Sequence, residues 1–106
     1  MENLNPIFHQ SMELKFVMEP NGYLICMAQT DIGSNVNVLP KRVFQTTKRY
    51  INGMGNRRSE LIESGLKPVK LLCELQGTEM ELEFVILDID DIIIGAKTLN
   101  RMMSRN

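Results

Sequence analysis

The chain has 106 residues, 43% of them hydrophobic and 24% charged, with a formal net charge of −1. That length makes one small domain with a thin stability margin, for which association is a reasonable expectation. So small a charge sets up no field that would gather nucleic acid or an anionic membrane. No apolar run approaches the ~20 residues of a membrane span, and the stretch Met1-Glu2-Asn3-Leu4-Asn5-Pro6 lacks the basic-then-apolar order of a secretion signal.

Residues 1–10, punctuated by Asn3, Asn5, Pro6 and His9, read as an irregular arm. Met12 to Met18 alternates apolar and polar residues as a half-buried strand does. It turns at Glu19-Pro20-Asn21-Gly22, where the Asn-Gly step is a hairpin signal, and returns as a strand over Tyr23 to Ala28. Val36 to Leu39 is a short β-prone run stopped by Pro40. Residues 41–47 fit one turn of helix or a loop. The polar stretch 48–60, with Gly53 and Gly55 around Met54, reads as a loop or hairpin. Leu66 to Leu75, interrupted by Pro68, predicts a strand; Gln76-Gly77-Thr78-Glu79 predicts a turn and Met80 to Leu87 the next strand. After an acidic turn at Asp88 to Asp91, Ile92-Ile93-Ile94 is a short buried strand ended by Gly95. Ala96 to Met103 then spaces Ala96, Leu99 and Met103 as one helical face.

Other signals are bland. The basic residues Lys41, Arg42, Lys48, Arg49, Arg57 and Arg58 read as solvated faces of loops. His9 reads as inert, the eight methionines as core filler, and Asp88, Asp90 and Asp91 as a solvated turn rather than a metal site. Cys26 and Cys73 lie in apolar runs and fit buried reduced thiols, with an extracellular disulfide as the alternative. One histidine and two cysteines provide no zinc-ligand spacing, so neither metal nor cofactor is expected.

The informative constellation is a strand running into Asp31-Ile32-Gly33-Ser34, the short run Asn35-Val36-Asn37-Val38-Leu39-Pro40, the glycine-bearing Ile51-Asn52-Gly53-Met54-Gly55, and later Asp91-Ile92-Ile93-Ile94-Gly95 with a helix behind it. This order resembles the retropepsins, the aspartic proteases of retroviruses and long-terminal-repeat elements, over roughly residues 12–103. The resemblance implies a mainly β fold: a small, closed, barrel-like retropepsin domain spanning 1–106, with a flap hairpin in the region 48–60 and one short C-terminal helix. It implies a homodimeric endopeptidase for polyprotein processing, in the cytoplasm or a virus-like particle, whose partners are a second copy of the chain and an extended peptide.

By that resemblance Asp31 is the catalytic carboxylate, and Ile32, Gly33 and Ser34 complete the active-site loop. Ser34 would donate its hydroxyl to the outer oxygen of Asp31. Asn35 would offer its backbone N–H to substrate, and Gly53, Met54 and Gly55 would close over the peptide. The sequence departs from the family at Ile32, where most members keep a Thr or Ser whose hydroxyl cross-links the two loops of the dimer. It departs again at Ala96 and Asn35, where many carry an Arg and an acidic partner. A non-catalytic dimerisation or peptide-binding domain of the same fold is the alternative these departures leave open.

Overall fold

The computed structural model describes residues 10–18, 21–47 and 68–104. The expected flap region 48–60, with Gly53, Met54 and Gly55, lies outside the described residues, as does all of the expected N-terminal arm except Gln10. The described chain contains β1 (Ser11–Val17), β2 (Tyr23–Asp31), β3 (Asn37–Pro40), helix α1 (Lys41–Thr47), β4 (Val69–Leu75), β5 (Thr78–Leu87), β6 (Ile92–Gly95) and helix α2 (Ala96–Met103). The strands close into a barrel in the order β1-β2-β6-β3-β5-β4, with β4 pairing back onto β1. The mainly β, closed-barrel expectation holds, with two short helices among the described residues where the sequence led us to expect one.

Strict alternation makes the barrel wall. β4 turns Val69, Leu71, Cys73 and Leu75 inward, and β5 turns Met80, Leu82 and Phe84 inward. Their outward positions are mostly charged: Lys70 faces Glu83 and Glu74 faces Glu79 across the pair. From β1, Leu14 and Phe16 fill the centre, where Phe16 meets Phe84 with ring centroids 6.0 Å apart. At about 25 cal/mol per Å2 of apolar area, each such buried side chain contributes roughly 1.5–3 kcal/mol, the main force holding so small a barrel closed. The β4–β5 connection is the two residues Gln76 and Gly77, both at positive φ (50° and 82°), as a type I′ hairpin demands.

Elsewhere tertiary contacts overrode local signals. The Asn-Gly step does not form a two-residue hairpin: Val17 pairs with Tyr23, leaving residues 18–22 as the connection, closed by Met18 N–H donating to Gly22 C=O. The segment 41–47, open between loop and helix in sequence, is α1, because Phe44 and Thr47 share a face that is buried against the barrel. Arg42 ties this helix to the acidic turn by donating to Asp90 C=O at 2.9 Å. The methionines divide: Met80 is core, but Met27 and Met103 are exposed, so core filler describes only some of them.

The pairing also decides between the two readings of the cysteines. Cys26 opposes Leu14 on one side of β1, and Cys73 opposes Phe16 on the other. Two strand spacings and a two-residue offset along β1 separate them, more than about 9 Å between Cα atoms, beyond the reach of a disulfide. Both thiols are free. Burial pushes Cys73 up to about 12, with a smaller contribution from nearby Cys26.

The feature that positions the candidate site is the placement of β6. It runs parallel to β2 (Asp31 opposite Gly95) and antiparallel to β3 (Val38 opposite Ile93). The chain leaving β2 at Asp31 must therefore pass over the end of β6 before entering β3 at Asn37. No helix among the described residues is long and apolar enough to cross a membrane.

Candidate functional site

Asp31 is the last residue of β2, three residues beyond the strand end read from sequence. That reading stopped at Ala28 because Gln29 and Thr30 are polar, but both polar groups are satisfied. Thr30 is buried; its Oγ1 accepts from Gln10 N–H at 3.1 Å and donates to Gln10 C=O at 3.2 Å, while its own N–H donates to the same carbonyl at 2.8 Å. Gln29 Nε2 donates to Ser11 Oγ at 3.0 Å. The strand, paired with β1 up to Gln29 and with β6 from Ala28 to Asp31, thus carries Asp31 to the barrel's end.

Beyond Asp31 the loop is held by short local bonds. Asp31 Oδ1 accepts from Gly33 N–H at 2.9 Å, and Ser34 N–H donates to Asp31 C=O at 3.1 Å. The first bond fixes the rotamer of the carboxylate, as aspartate does in turns generally. A Cβ on Gly33 would stand 3.2 Å from Asp31 Oδ1, so glycine there keeps the carboxylate uncrowded. The side chain is half-buried, and no basic group among the described residues forms an ion pair with it. Ser34 differs from expectation. Its hydroxyl donates to Val36 C=O at 2.7 Å and accepts from Val36 N–H at 3.3 Å. The nearby carbonyl captures it, and Asp31 receives no bond from it.

Gly95 is required by this crossing. Its N–H donates to Asn37 Oδ1 at 2.8 Å, and the next residue's N–H, from Ala96, donates to Ser34 C=O at 2.8 Å. A Cβ at residue 95 would lie 2.5 Å from Val36 O and 2.8 Å from Ser34 O. Backbone passes directly over backbone, and no side chain fits between.

Asn37, which sequence reasoning passed over, is the hub of the arrangement. It is buried (7% exposed). Besides accepting from Gly95, it donates through Nδ2 to Thr98 Oγ1 at 2.9 Å and to Glu83 C=O at 3.1 Å. One amide therefore joins β3, β5, β6 and α2 directly behind the Asp31 loop. Its sequence signal was an asparagine inside an apolar strand, which must find several partners once buried. The loop itself is tied to the helix by the Ala96 N–H bond to Ser34 C=O.

The candidate residues Asp31, Ile32, Gly33, Ser34 and Asn35 thus share one loop at the barrel's end. Ile32 is 41% exposed beside Asp31, and Val36 is also exposed. No bond among the described residues engages the Asn35 N–H, and Asn35 is exposed, four residues beyond Asp31. Asp88, Asp90 and Asp91 stay exposed in their turn. Among the described residues no three His, Cys, Asp or Glu side chains gather closely enough to hold a metal ion. The chain matches no protein-family model and no curated protein.

Proposed function

We propose that this chain is one subunit of a homodimeric aspartic endopeptidase of the retropepsin type, with Asp31 from each copy forming the catalytic pair. The observation that carries this reading is the Asp31 loop itself. A carboxylate with no cationic partner among the described residues sits at the end of a barrel strand, oriented by Gly33 N–H, in a loop braced from behind by Gly95 and Asn37.

Peptide hydrolysis by such a pair follows from electrostatics. Two carboxylates about 3 Å apart cannot both ionise comfortably, so they share one proton. The ionised member takes a proton from water as the oxygen attacks the scissile carbonyl carbon, and the protonated member donates to the carbonyl oxygen. Collapse of the resulting diol returns a proton to the leaving nitrogen as the C–N bond breaks. One chain supplies one such aspartate, so the second comes from a symmetry-related copy. The Asn35 N–H, unbonded among the described residues, suits an extended peptide backbone lying across the loop. Gly53, Met54 and Gly55 would cover it by resemblance alone.

Ile32 favours the second reading, a dimerisation or peptide-binding domain that does not cleave, because isoleucine cannot cross-link two loops by hydrogen bonding. The two are separated by incubating the wild type and Asp31→Asn with a peptide library between about pH 4 and 7. Cleavage by the wild type alone, blocked by a statine-type transition-state mimic, supports the peptidase. Cleavage that survives Asp31→Asn, or no cleavage by either protein, removes it.

A further inference from the structure

A groove of about 230 Å3 lies beside the Asp31 loop, lined by Asn35 and Val36 of that loop and by Lys97 and Arg101 of α2. Glu83 of β5 is the one acid that lines it. Lys97 and Arg101 stand one helical turn apart, a spacing at which like charges repel on a helix face. Neither forms an ion pair among the described residues, with Glu83 or with any other acid. No acidic residue stands in the first turn of α2 to offset Lys97. Asn35 is exposed and adds an amide that can donate. Two cations and an amide thus share one concavity with a single carboxylate.

We propose that this groove is a specificity subsite for an acidic side chain, Asp or Glu, of the extended peptide that lies across the Asp31 loop. The inference rests on the peptide-binding role of that loop and names the substrate class it selects. The Asn35 N–H, unbonded among the described residues, holds the peptide backbone beside the groove. A side chain leaving the backbone there enters toward Lys97 and Arg101. The Arg101 guanidinium can donate two hydrogen bonds at once to a carboxylate, while Lys97 adds a point charge. Asn35 is four residues beyond Asp31, at most about 14 Å of chain. The acidic position therefore falls within about four residues of the scissile bond.

The test uses the full chain and matched peptides carrying Glu or Gln at each such position, at about pH 6, where Glu is ionised. At the position that meets the groove, the Glu peptide should be cleaved about three- to tenfold better than its Gln twin, with the gain in KM. Added salt should shrink that preference. Lys97→Gln combined with Arg101→Gln should abolish it, and Glu83→Gln should enlarge it. Lys41→Gln, which removes a cation from α1, should leave the preference unchanged. Fluorescence anisotropy of the same peptides with Asp31→Asn reads the groove without requiring cleavage. Cleavage indifferent to Glu or Gln at every position would overturn the subsite while leaving the peptidase intact. Acid-selective binding by a chain that cleaves nothing would support the subsite and remove the peptidase. A preference that survives the double glutamine variant, or that Lys41→Gln reduces equally, would overturn the subsite. So would the absence of both cleavage and binding.

Discussion

Replacing Asn37 with leucine removes an amide that makes three hydrogen bonds in a buried position. Three groups lose a partner, and the cost differs among them. Thr98 Oγ1 only accepts from the amide, and a hydroxyl oxygen left with an unused lone pair costs little. Glu83 C=O keeps a second lone pair. Gly95 N–H has no such recourse under the crossing loop, and an orphaned buried donor costs about 1–3 kcal/mol. Together the loss comes to roughly 2–4 kcal/mol, a large part of the 5–15 kcal/mol that typically holds a domain folded. For a domain of this size each kcal/mol moves the melting temperature by about 4–8 °C, so Asn37→Leu should melt on the order of 10–20 °C below wild type by circular dichroism.

Asn37→Asp adds a pH signature to the same prediction. A carboxyl keeps an oxygen for Gly95 N–H, and when protonated it can still donate to Glu83 C=O or Thr98. Burial disfavours its ionised form, raising its folded-state pKa above the unfolded value of about 3.9. The folded state then holds more protons than the unfolded one, so stability falls as pH rises through that window. The gap in melting temperature from wild type should widen between about pH 3 and 7. An Asn37→Leu protein melting within about 3 °C of wild type would refute the reasoning, as would a pH-independent gap for Asn37→Asp.

Gly95→Ala should lower stability by about 1–3 kcal/mol and reduce peptide cleavage, because the new Cβ meets Val36 O and Ser34 O, the backbone of the Asp31 loop; paired melting and activity assays check it. Gln76→Gly should raise stability by about 1 kcal/mol in urea titration, since Gln76 occupies the left-handed region at φ 50°, where a Cβ is penalised. Cys73 should make the barrel sensitive to alkali: its thiol is held protonated up to about 12 against an ordinary 9.0. Folded protein keeps that proton while unfolded chain loses it, so stability falls as pH rises across that interval by up to about 1.4 kcal/mol per unit. Cys73→Val should show a correspondingly shallower loss in the same titration.

Much of the barrel was legible because its signals are local. The alternation of Val69 to Leu75 and of Met80 to Phe84, the turn at Gln76-Gly77, and the run Ile92 to Gly95 ahead of an amphipathic helix each specify their own conformation. What escaped was set by partners distant in sequence. The strand read from sequence ended at Ala28, ahead of polar Gln29 and Thr30, whereas β2 runs on to Asp31 with the buried Thr30 hydroxyl satisfied by Gln10, distant in sequence. Lys41–Thr47 is too short for periodicity to decide, and burial of Phe44 and Thr47 against the barrel decided it. The Asp31 loop was legible as a motif, yet the bond assigned to Ser34 was not the one formed. A hydroxyl takes its nearest free acceptor, here Val36 C=O, and that geometry is invisible in a string of letters. Asn37 was missed because its partners, Glu83, Gly95 and Thr98, meet only once β6 lies between β2 and β3.

The shared catalytic pair is tested most directly by mixing wild-type chains with Asp31→Asn chains at fixed total concentration and letting subunits exchange. If one carboxylate comes from each copy, a mixed dimer is inactive. Activity should then follow the square of the wild-type fraction, roughly a quarter remaining when half of the chains are substituted. Activity that falls only in direct proportion to the wild-type fraction would mean that each chain works alone, and the account would be wrong.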